Sequence, residues 1–441
     1  MEKITSQKLV QILEYDGEVT DTTIYNVSTD SRKISDNTVF IALRGERFDA
    51  HDFVTEVIKN GCPLVIVDHF VAGVDPLKQI VVKDTLKAYG KIGAYNRSLF
   101  KGKVVGLTGS AGKTTTKEEI AFLLSHFGKT YATLGNHNNA VGVPQSLCDL
   151  DMSAEYAVIE MGMSASGEIS YLTNLVRPNI AVVTNVYPMH IEFFENFEGI
   201  AYAKAEIFQG LNKGGIAIIN EDTNFADILC QEASKYADKI IKFGKHHHVN
   251  ADFELKEDCL QYRYNAWCAL SVVAALGQDV TKAAGFIKDF GALDGRGKQH
   301  KLYFAKGSYT LIDDSYSGQP EAMKLALENL DKKNVKGRKI ALLGKMAELG
   351  NTSINRHVEI GKLLAKTSID VVIGVCPETK DILAQLPPMI EQYYFENKEG
   401  VADFLLNKLL QNEDTILIKG ARYSSKLYQV TEELLNKGTK K

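Results

Sequence analysis

The chain has 441 residues, of which 45% are hydrophobic, and its 51 basic and 55 acidic side chains give a net charge of −4. This length exceeds what one hydrophobic core usually serves, so we expect roughly two to four folded domains. The near balance of charge argues against nucleic acid or an anionic membrane surface as the main partner, because both attract a concentrated basic excess.

The six cysteines are scattered and include no Cys-x-x-Cys pair. This pattern indicates buried thiols in a reducing compartment rather than disulfides or a zinc site. The N-terminal segment MEKITSQKLV lacks the apolar region of a signal peptide, and no segment approaches the roughly 20 apolar residues that span a bilayer. We therefore predict a cytoplasmic protein without a membrane span.

The first part of the chain, residues 1–84, alternates short apolar runs with turn signals and is typical of a small α/β domain. From residue 85 to about residue 300, short apolar strands alternate with helical stretches, which predicts a mainly parallel sheet covered on both faces. The predicted strands of this part are Lys103–Thr108, Tyr156–Glu160, 180–184 and 215–219.

A glycine-rich segment follows the first of these strands, with the sequence GLTGSAGKTTT at residues 106–116. Glycines let backbone N–H groups turn toward phosphate oxygens, Lys113 would reach the β- and γ-phosphates, and the Thr114 hydroxyl would ligate Mg²⁺. Leu107 stands where the strict GxxxxGK[ST] pattern has its first glycine, so the match is to the shorter TGSxGKT form.

We predict a phosphate-binding loop formed by Thr108, Gly109, Ser110, Ala111, Gly112, Lys113 and Thr114. The alternative is a glycine-rich turn without a special role. A phosphate loop suits GTPases, motors, kinases and ligases alike, so it does not identify a reaction by itself.

Glu160 closes an apolar strand, which predicts a carboxylate at the sheet edge where ligands of such folds bind. Because Mg²⁺ prefers hard oxygen ligands, Glu160 and Thr114 form a reasonable metal pair, with a solvated strand-end carboxylate as the alternative. His190 follows another strand end, but a single histidine is usually structural.

Lys204 falls on the apolar stripe of a helix predicted at 198–211, together with Ile200, Ile207 and Leu211. A lysine facing the core must find a partner or lose its charge. One possibility is a stem whose head group reaches water. The other is a neutral amine that is carbamylated and binds a second Mg²⁺. The spacing does not decide between them.

The three consecutive histidines at 246–248 point in different directions, so we do not expect them to share a metal. The glycine-rich stretch 291–297 predicts a hinge. A third α/β unit is predicted from residue 301 to residue 441, with strands at 309–313, Lys339–Leu343, 371–374 and Thr415–Lys419.

With these residues in place, the chain resembles the Mur ligase family over nearly its whole length, and most closely the branch that adds D-alanyl-D-alanine. The resemblance rests on the segments 28–32 (STDSR), 42–51 (ALRGERFDAH), 108–114 (TGSAGKT), 135–144 (GNHNNAVGVP), 160–163 (EMGM), 167–169 (GEI), 188–190 (PMH), 203–207 (AKAEI), 295–297 (GRG), 313–316 (DDSY) with Pro320, 347–350 (AELG) and 419–422 (KGAR).

The resemblance implies an α/β fold of three domains. Residues 1–84 would bind the UDP-sugar peptide, and residues 85–300 would form a central P-loop ATPase domain with a parallel sheet. Residues 301–441 would form a Rossmann-like domain that binds the incoming dipeptide and part of ATP. The implied enzyme is a monomeric, cytoplasmic, ATP-dependent ligase. It would join D-alanyl-D-alanine to UDP-N-acetylmuramoyl-tripeptide through an acyl phosphate in peptidoglycan precursor synthesis.

The resemblance also implies roles for individual residues. Lys113, His190 and a carbamylated Lys204 would be catalytic. Two Mg²⁺ ions would be held by Thr114, Glu160, His190 and Lys204. ATP would be bound by the loop 108–114 with Asn265, Arg296 and Asp313. The UDP-sugar would be bound by Ser28, Asp30, Ser31, Arg32, Gly45, Asp49 and His51. The dipeptide or acyl phosphate would be bound by Asp314, Tyr316, Lys419 and Arg422.

The chain departs from the family pattern at a few places. Gln261 and Tyr262 stand in the adenine-side motif that usually reads H-N-x-x-N, so only Asn265 is carried over from it. The segment between residues 244 and 264 is shorter than usual, and Ser317 and Gln319 replace common asparagines. Lys345 replaces an acidic residue.

Three alternatives remain: a sibling ligase that adds a single amino acid, a folylpolyglutamate-synthetase-like ligase, and a P-loop GTPase or regulatory module. The Asp-Asp-Ser-Tyr wording at 313–316 favours the dipeptide. The chain has no N-K-x-D motif for guanine. A catalytically inactive module would be expected to lose Lys113, Glu160 or Lys204, and all three are present.

Overall fold

The computed structural model describes residues 1–45, 48–189, 191–256 and 259–438. The chain divides into two compact units. The first unit comprises residues 1–186, 198–253 and 264–287, and the second comprises residues 187–197, 254–263 and the chain from residue 288 onward.

The N-terminal part of the first unit is built on a four-stranded parallel sheet. Its elements are β1 (Ile4–Thr5), α1 (Ser6–Leu13), β2 (Thr23–Ile24), β3 (Asn26–Ser28), β4 (Thr38–Ile41), α2 (Val54–Lys59), β5 (Leu64–Val67), β6 (Gln79–Val81) and α3 (Thr85–Leu99). The sheet has the order β3-β4-β5-β6, while β1 and β2 form a separate antiparallel pair. Val39 and Ile41 pack with α1 and α3, whereas Phe40 packs with α2, because successive strand residues point to opposite faces.

The central part of the chain alternates strands and helices, and these elements belong to the first unit except for Phe197 and residues 260–263. Its elements are β7 (Lys103–Thr108), α4 (Lys113–Ser125), β8 (Thr130–Ala132), α5 (Gly142–Cys148), β9 (Tyr156–Glu160), α6 (Glu168–Val176), β10 (Ile180–Val183), α7 (Phe197–Ala205), β11 (Ile216–Asn220), α8 (Ala226–Ala233), β12 (Lys239–Phe243), α9 (Leu260–Ala275) and α10 (Val280–Phe286). All six strands are parallel, in the order β12-β11-β10-β7-β9-β8. This arrangement confirms the predicted parallel central sheet.

The second unit contains a sheet that is parallel except at one edge. Its elements are β13 (Lys298–Phe304), β14 (Gly307–Asp314), α11 (Pro320–Lys332), β15 (Lys339–Leu343), α12 (Ser353–Leu364), β16 (Val371–Val375), α13 (Lys380–Leu383), β17 (Glu391–Phe395), α14 (Val401–Phe404), β18 (Thr415–Lys419), α15 (Arg422–Ser425) and α16 (Leu427–Lys437). The order is β13-β14-β18-β15-β16-β17, and only the β13–β14 pair is antiparallel within this sheet.

Helices cover both faces of this sheet. Leu342 on β15 packs with α14 and α16, and its neighbours Ala341 and Leu343 pack with α11 and α12. A strand that is buried on both faces is typical of a doubly wound α/β domain. β14 leads to β15, and β18 returns between them. In such sheets ligands commonly bind at the carboxyl ends of the strands, near a change in strand order of this kind.

Short 3₁₀ turns connect several elements, at Ala50–Phe53, Pro76–Lys78, Ile191–Phe193, Glu206–Gly210, Ile287–Asp289, Gly350–Thr352 and Pro377–Thr379, and a π-helical turn lies at Leu405–Leu409. The prediction of one helix over 198–211 is wrong in its second half, because α7 ends at Ala205 and the chain continues as 3₁₀. Among the described residues, none of the helices combines the length and apolar character that crossing a bilayer requires.

Candidate nucleotide and metal site

The segment predicted to bind phosphate forms a turn between β7 and α4, at the carboxyl edge of the central sheet. Gly109 approaches the end of β10 so closely that a Cβ atom would lie 1.9 Å from Thr184 Oγ1. Gly112 has a φ of 74° and directly precedes α4, a conformation that favours glycine. The turn therefore leads into the N-terminus of α4, where backbone N–H groups and the helix dipole favour an anion.

Asn185 holds this loop from the side of β10. Its backbone oxygen accepts the N–H of Ser110 at 3.0 Å, and its Oδ1 accepts the N–H of Ala111 at 2.8 Å. The Asn185 amide and the Thr184 hydroxyl both donate to the Ala111 oxygen, at 2.9 Å and 3.2 Å. Neither Asn185 nor Thr184 was predicted from the sequence. The available signal was their position after a strand that neighbours β7.

Lys113, the first residue of α4, folds back over the loop. Its Nζ donates to the backbone oxygen of Gly109 at 2.9 Å. Thr114 is buried beside it, and the Oγ1 atom of Thr108 is buried without a hydrogen-bond partner among the described residues. A buried hydroxyl without a partner is uncommon in native proteins. The Thr108 hydroxyl is therefore available for a hydrogen bond with a ligand.

Glu160 ends β9, where Leu107 of β7 is its partner in register, and its side chain is 1% exposed. The alternative of a solvated carboxylate is therefore wrong. Its Oε1 accepts the Nδ2–H of Asn138 at 2.7 Å, and its backbone N–H donates to Thr133 Oγ1 at 3.1 Å. Its Oε2 is buried and has no hydrogen-bond partner among the described residues. An isolated buried carboxylate oxygen is unfavourable and is stabilised by a cation.

Lys204 lies in the last turn of α7 and is 3% exposed, as its place on the apolar stripe predicts. Burial lowers the pKa of Lys204 well below its ordinary value, and the positive charge of Lys113 lowers this pKa further. The amine is thereby shifted toward its neutral form, which is the form that reacts with CO₂. The alternative of a head group in water is not the observed arrangement.

His190 lies outside the described residues, so its role in the metal site stays a prediction. Asn265 of α9 is buried, and its Oδ1 accepts the hydroxyl of Thr116 at 3.2 Å, which ties α9 to the helix behind the loop. Tyr262 belongs to the second unit and donates its hydroxyl to the backbone oxygen of Arg296 at 3.2 Å.

Asp313 fixes the turn that carries Arg296 in the second unit. Its carboxylate accepts the N–H of Gly295 at 2.8 Å and the hydroxyl of Ser315 at 2.6 Å. Its backbone oxygen accepts the N–H of Gly297 at 2.7 Å. Both glycines have positive φ angles, 74° and 89°, which only glycine adopts readily. The predicted ATP residue Asp313 is therefore occupied with shaping the turn.

The four residues predicted to bind the dipeptide lie together at the adjacent carboxyl ends of β14 and β18. Lys419 is buried, and its Nζ donates to Asp314 Oδ2 at 2.7 Å. The guanidinium carbons of Arg296 and Arg422 lie 4.1 Å and 5.3 Å from the centre of the Tyr316 ring. These distances are those of cation–π contacts, so one ring aligns two cationic side chains.

The residues predicted to bind the UDP-sugar follow strands β3 and β4. The Ser28 hydroxyl accepts the N–H of Asp30, and Asp30 pairs with Arg32 at 2.8 Å across Ser31. This pairing lowers the pKa of Asp30 to about 2. Gly45 donates its N–H to the backbone oxygen of Phe48 at 2.9 Å.

A charged network surrounds His51 at the same edge. Its Nδ1 lies 2.5 Å from Asp49 Oδ1, and its Nε2 accepts the N–H of Asp68 at 3.1 Å. The backbone N–H of His51 is the main cause that lowers the pKa of Asp49. His51, Asp68 and His69 bring three potential metal ligands together, but Arg44 already lies 3.0 Å from Asp68 Oδ2 and neutralises it.

Two histidines of the 246–248 run contact different partners. His247 Nδ1 lies 2.5 Å from Glu221 Oε2, and the ring of His248 stacks on Trp267 with 4.9 Å between ring centres.

The chain is similar to the Mur ligases along its whole length. Models described as "Mur ligase family, catalytic domain", "Mur ligase middle domain" and "Mur ligase, glutamate ligase domain" match residues 23–92, 107–272 and 301–422. The UDP-N-acetylmuramoyl-tripeptide–D-alanyl-D-alanine ligase of Escherichia coli (strain K12) is 34% identical, over 100% of both chains. The chain belongs to the Mur ligase family.

Solved structures agree with the three-domain α/β fold of this Mur ligase. MurF from Acinetobacter baumannii superposes with a TM-score of 0.89 at 29% identity, over 99% of each chain. MurF from Thermotoga maritima in complex with ADP gives a TM-score of 0.77 at 26% identity, over 93% of this chain and 97% of that chain. The prediction of three domains is confirmed, whereas the boundaries at 84/85 and 300/301 stay predictions.

The residues of this Mur ligase fit a magnesium-bound nucleotide. The Thr114 hydroxyl and the Glu160 carboxylate are hard oxygen donors, which Mg²⁺ prefers. The unpartnered Oε2 of Glu160 supplies the negative charge that a metal needs. The positive charge of Lys113 helps to lower the pKa of Lys204, and an anion bound beside Lys113 would offset that charge.

Proposed function

We propose that this Mur ligase joins D-alanyl-D-alanine to UDP-N-acetylmuramoyl-tripeptide, converting ATP to ADP and phosphate, in the synthesis of peptidoglycan precursors. The observation that carries the proposal is the 34% identity, across both whole chains, to the E. coli ligase named for this reaction. The geometry supports it, because the phosphate loop, a buried carboxylate and a buried lysine with a lowered pKa occur in one unit.

The loop 108–114 binds the phosphates of ATP. Its backbone N–H groups and the N-terminus of α4 stabilise negative charge, and Lys113 contacts the terminal phosphates. In the structure, Lys113 Nζ contacts the Gly109 oxygen, a bond that it exchanges for phosphate when ATP binds. Asn265, Arg296 and Asp313 complete the proposed ATP-binding set. Asp313 acts there by holding the turn of Arg296.

The proposed site would take two Mg²⁺ ions. Thr114 and Glu160 would hold one ion, and His190 with carbamylated Lys204 would hold the other. When bound, the ions would supply positive charge beside the phosphate oxygens. The carbamate forms when the neutral Lys204 amine adds CO₂ and releases a proton, which turns a buried amine into a carboxylate. The lowered pKa of Lys204 supports this modification.

The reaction has two steps. The terminal carboxylate of the tripeptide attacks the γ-phosphorus of ATP, which gives an acyl phosphate and ADP. The amine of D-alanyl-D-alanine then attacks the acyl carbon, its nitrogen loses a proton, and phosphate leaves from the tetrahedral intermediate. Catalysis rests on positioning and on charge neutralisation, to which Lys113 contributes directly.

The three substrates are distributed over the three domains in this proposal. Residues 1–84 bind the UDP-sugar peptide, residues 85–300 bind ATP, and residues 301–441 bind the dipeptide and part of ATP. The UDP-sugar residues are Ser28, Asp30, Ser31, Arg32, Gly45, Asp49 and His51. The dipeptide or acyl phosphate is bound by Asp314, Tyr316, Lys419 and Arg422. The cationic groups of Lys419 and Arg422 suit a carboxylate or phosphate.

We also propose that the enzyme works as a monomer in the cytoplasm. The UDP-linked peptide and ATP are cytoplasmic nucleotides, which supports this location. Sedimentation of the purified protein with all substrates present tests the monomer.

Phosphate release that depends on the amine tests the function. Purified protein receives ATP, Mg²⁺, UDP-N-acetylmuramoyl-tripeptide and one amine: D-alanyl-D-alanine, D-alanine, a diamino acid or L-glutamate. We expect stoichiometric phosphate and a product of the joined mass with D-alanyl-D-alanine, and neither with Lys113→Ala protein. Equal turnover with a single amino acid would identify a sibling ligase. ATP hydrolysis without any joined product would contradict the proposal.

A further inference from the structure

Lys117 is a fully buried lysine that the proposed reaction does not use. It lies one helical turn after Lys113 on α4, and none of its surface is exposed. Its Nζ donates to the backbone oxygens of Thr133 and Gly135, the latter at 3.4 Å, and the Glu118 carboxylate lies 2.8 Å away. A lysine side chain offers up to three N–H donors, and three acceptors surround the buried Nζ of Lys117.

The segment that accepts these bonds also holds Glu160. Thr133 accepts the backbone N–H of Glu160 on its Oγ1 at 3.1 Å. Asn138, three residues after Gly135, donates its Nδ2–H to Glu160 Oε1 at 2.7 Å, and its backbone oxygen accepts the N–H of Gly162 at 2.7 Å. Two routes therefore lead from Lys117 to Glu160, and both leave Glu160 Oε2 without a partner among the described residues.

We propose that Lys117 is a positioning residue: through the segment 133–138 it orients the Glu160 carboxylate so that Oε2 remains available to a divalent metal. This inference rests on the proposed function, in which Glu160 holds Mg²⁺. Without the ammonium group, the oxygens of Thr133 and Gly135 lose buried donors and the segment must rearrange. Mutation of a group that orients a metal ligand commonly weakens metal binding about tenfold to a hundredfold.

The hydrogen-bonded path from Lys117 through the segment 133–138 to Glu160, here called the relay, also connects two parts of the site. These are the phosphate loop, which leads into α4, and Glu160 at the end of β9. Lys113 and Lys117 are four residues apart on α4 and therefore lie on the same side of this helix. The phosphate loop and the Glu160 carboxylate are therefore both held in place by α4. A lysine with a purely structural role would change the stability of the fold and leave the metal affinity unchanged.

The test is metal binding by Lys117→Met protein, which keeps the length of the side chain and removes its donors. Free Mn²⁺ is measured by electron paramagnetic resonance in the presence of ADP, and kcat is measured alongside. We expect Mn²⁺ to bind about tenfold more weakly or worse, with a lower kcat and an unchanged KM for the UDP-sugar peptide. Lys129→Met is the matched control, because Lys129 is exposed and pairs with Asp151 at 2.8 Å.

Equal Mn²⁺ affinity in the two variants would overturn the proposal. If Lys117→Met protein does not fold, Thr133→Val tests the relay from its other end, because it removes the Oγ1 acceptor at similar volume. Wild-type Mn²⁺ affinity in Thr133→Val would also overturn it. Wild-type protein that binds no Mn²⁺ with ADP would instead refute the metal site of the proposed function.

Discussion

At the scale of single residues, the environment of Lys204 determines its chemistry. Its neighbours on the stripe, Ile200 and Ile207, are fully buried, and the charge of Lys113 disfavours a second ammonium. We expect Lys204→Ala to lower kcat about a hundredfold or more, because charge stabilisation at the phosphates is lost. Bicarbonate or a small carboxylate should restore part of the activity by occupying the vacated space. Lys213→Ala, which changes an exposed lysine, should behave as wild type.

The pH dependence of this modification has a definite sign. The pKa of Lys204 is lowered, so the amine is neutral above the lowered pKa and becomes protonated as the pH falls through it. Protonation prevents addition of CO₂, so activity should decrease on the acidic side. The carbamate signal from ¹³C-labelled bicarbonate should decrease in parallel. Full activity of Lys204→Ala without rescue would remove the carbamate from the mechanism.

The sequence predicted the residues whose chemistry is local and missed those whose role depends on packing. Glu160 and Lys204 could be found because a strand end and a helical stripe determine where they point. Asn138 and Asn185 were missed because their partners, Glu160 and Ala111, are 22 and 74 residues away in sequence. An asparagine after a strand is common in turns, so its type alone did not reveal a support of the site.

At the scale of elements, α4 packs a titratable group against α9. Glu119 is fully buried, and burial raises its pKa to about 8 from an ordinary 4.5. Its charge contributes to the raised pKa of Cys268 on α9, so the two side chains are close. One turn earlier on α4, Thr116 donates to Asn265 of the same helix. The α4–α9 contact therefore favours a neutral Glu119.

This contact predicts a stability that depends on pH. Because the pKa is raised in the folded state, the stability is fully present below the unfolded pKa and is lost as the pH rises toward 8. Glu119→Gln keeps the shape of the side chain and removes its charge. Its free energy of unfolding should therefore exceed that of wild type by about 2 kcal/mol or more near pH 8. Urea unfolding between about pH 5 and pH 8 measures this difference, which should shrink toward the acidic end.

The control is Glu56→Gln, which changes an exposed acidic residue. Its free energy of unfolding should equal that of wild type at every pH. A Glu119→Gln protein that is no more stable than wild type near pH 8 would show that Glu119 is ionised in the fold.

Element boundaries followed from sequence where an apolar run is bounded by polar residues. Strands Lys103–Thr108, Tyr156–Glu160, Lys339–Leu343 and Thr415–Lys419 are confirmed residue for residue. The helix predicted over 198–211 was wrong after Ala205. There Glu206 accepts the N–H groups of Gly167 and Ser170, contacts from a distant segment that apolar spacing does not encode.

At the scale of the whole molecule, the residues proposed to bind ATP occur in both compact units. Lys113, Thr114 and Asn265 belong to the first unit, and Arg296 and Asp313 belong to the second. Because the chain divides into two compact units, we expect them to unfold separately and to give two calorimetric transitions. A ligand at about one hundred times its Kd stabilises the unit that it contacts by about 2.7 kcal/mol, which raises a midpoint by several degrees.

We therefore expect Mg²⁺ with ADP to raise both midpoints of the wild-type protein. Lys113→Ala should reduce both shifts, because it weakens the phosphate contacts on which all binding depends. Arg296→Ala should leave the shift of the first unit and reduce the shift of the second, since it removes a contact from that unit alone. Arg356→Ala, which breaks a surface pair with Glu359 in the second unit, should match wild type. If ADP shifts only the transition of the first unit in wild-type protein, Arg296 and Asp313 do not bind the nucleotide. The proposed role of the phosphate loop would be unaffected by that result.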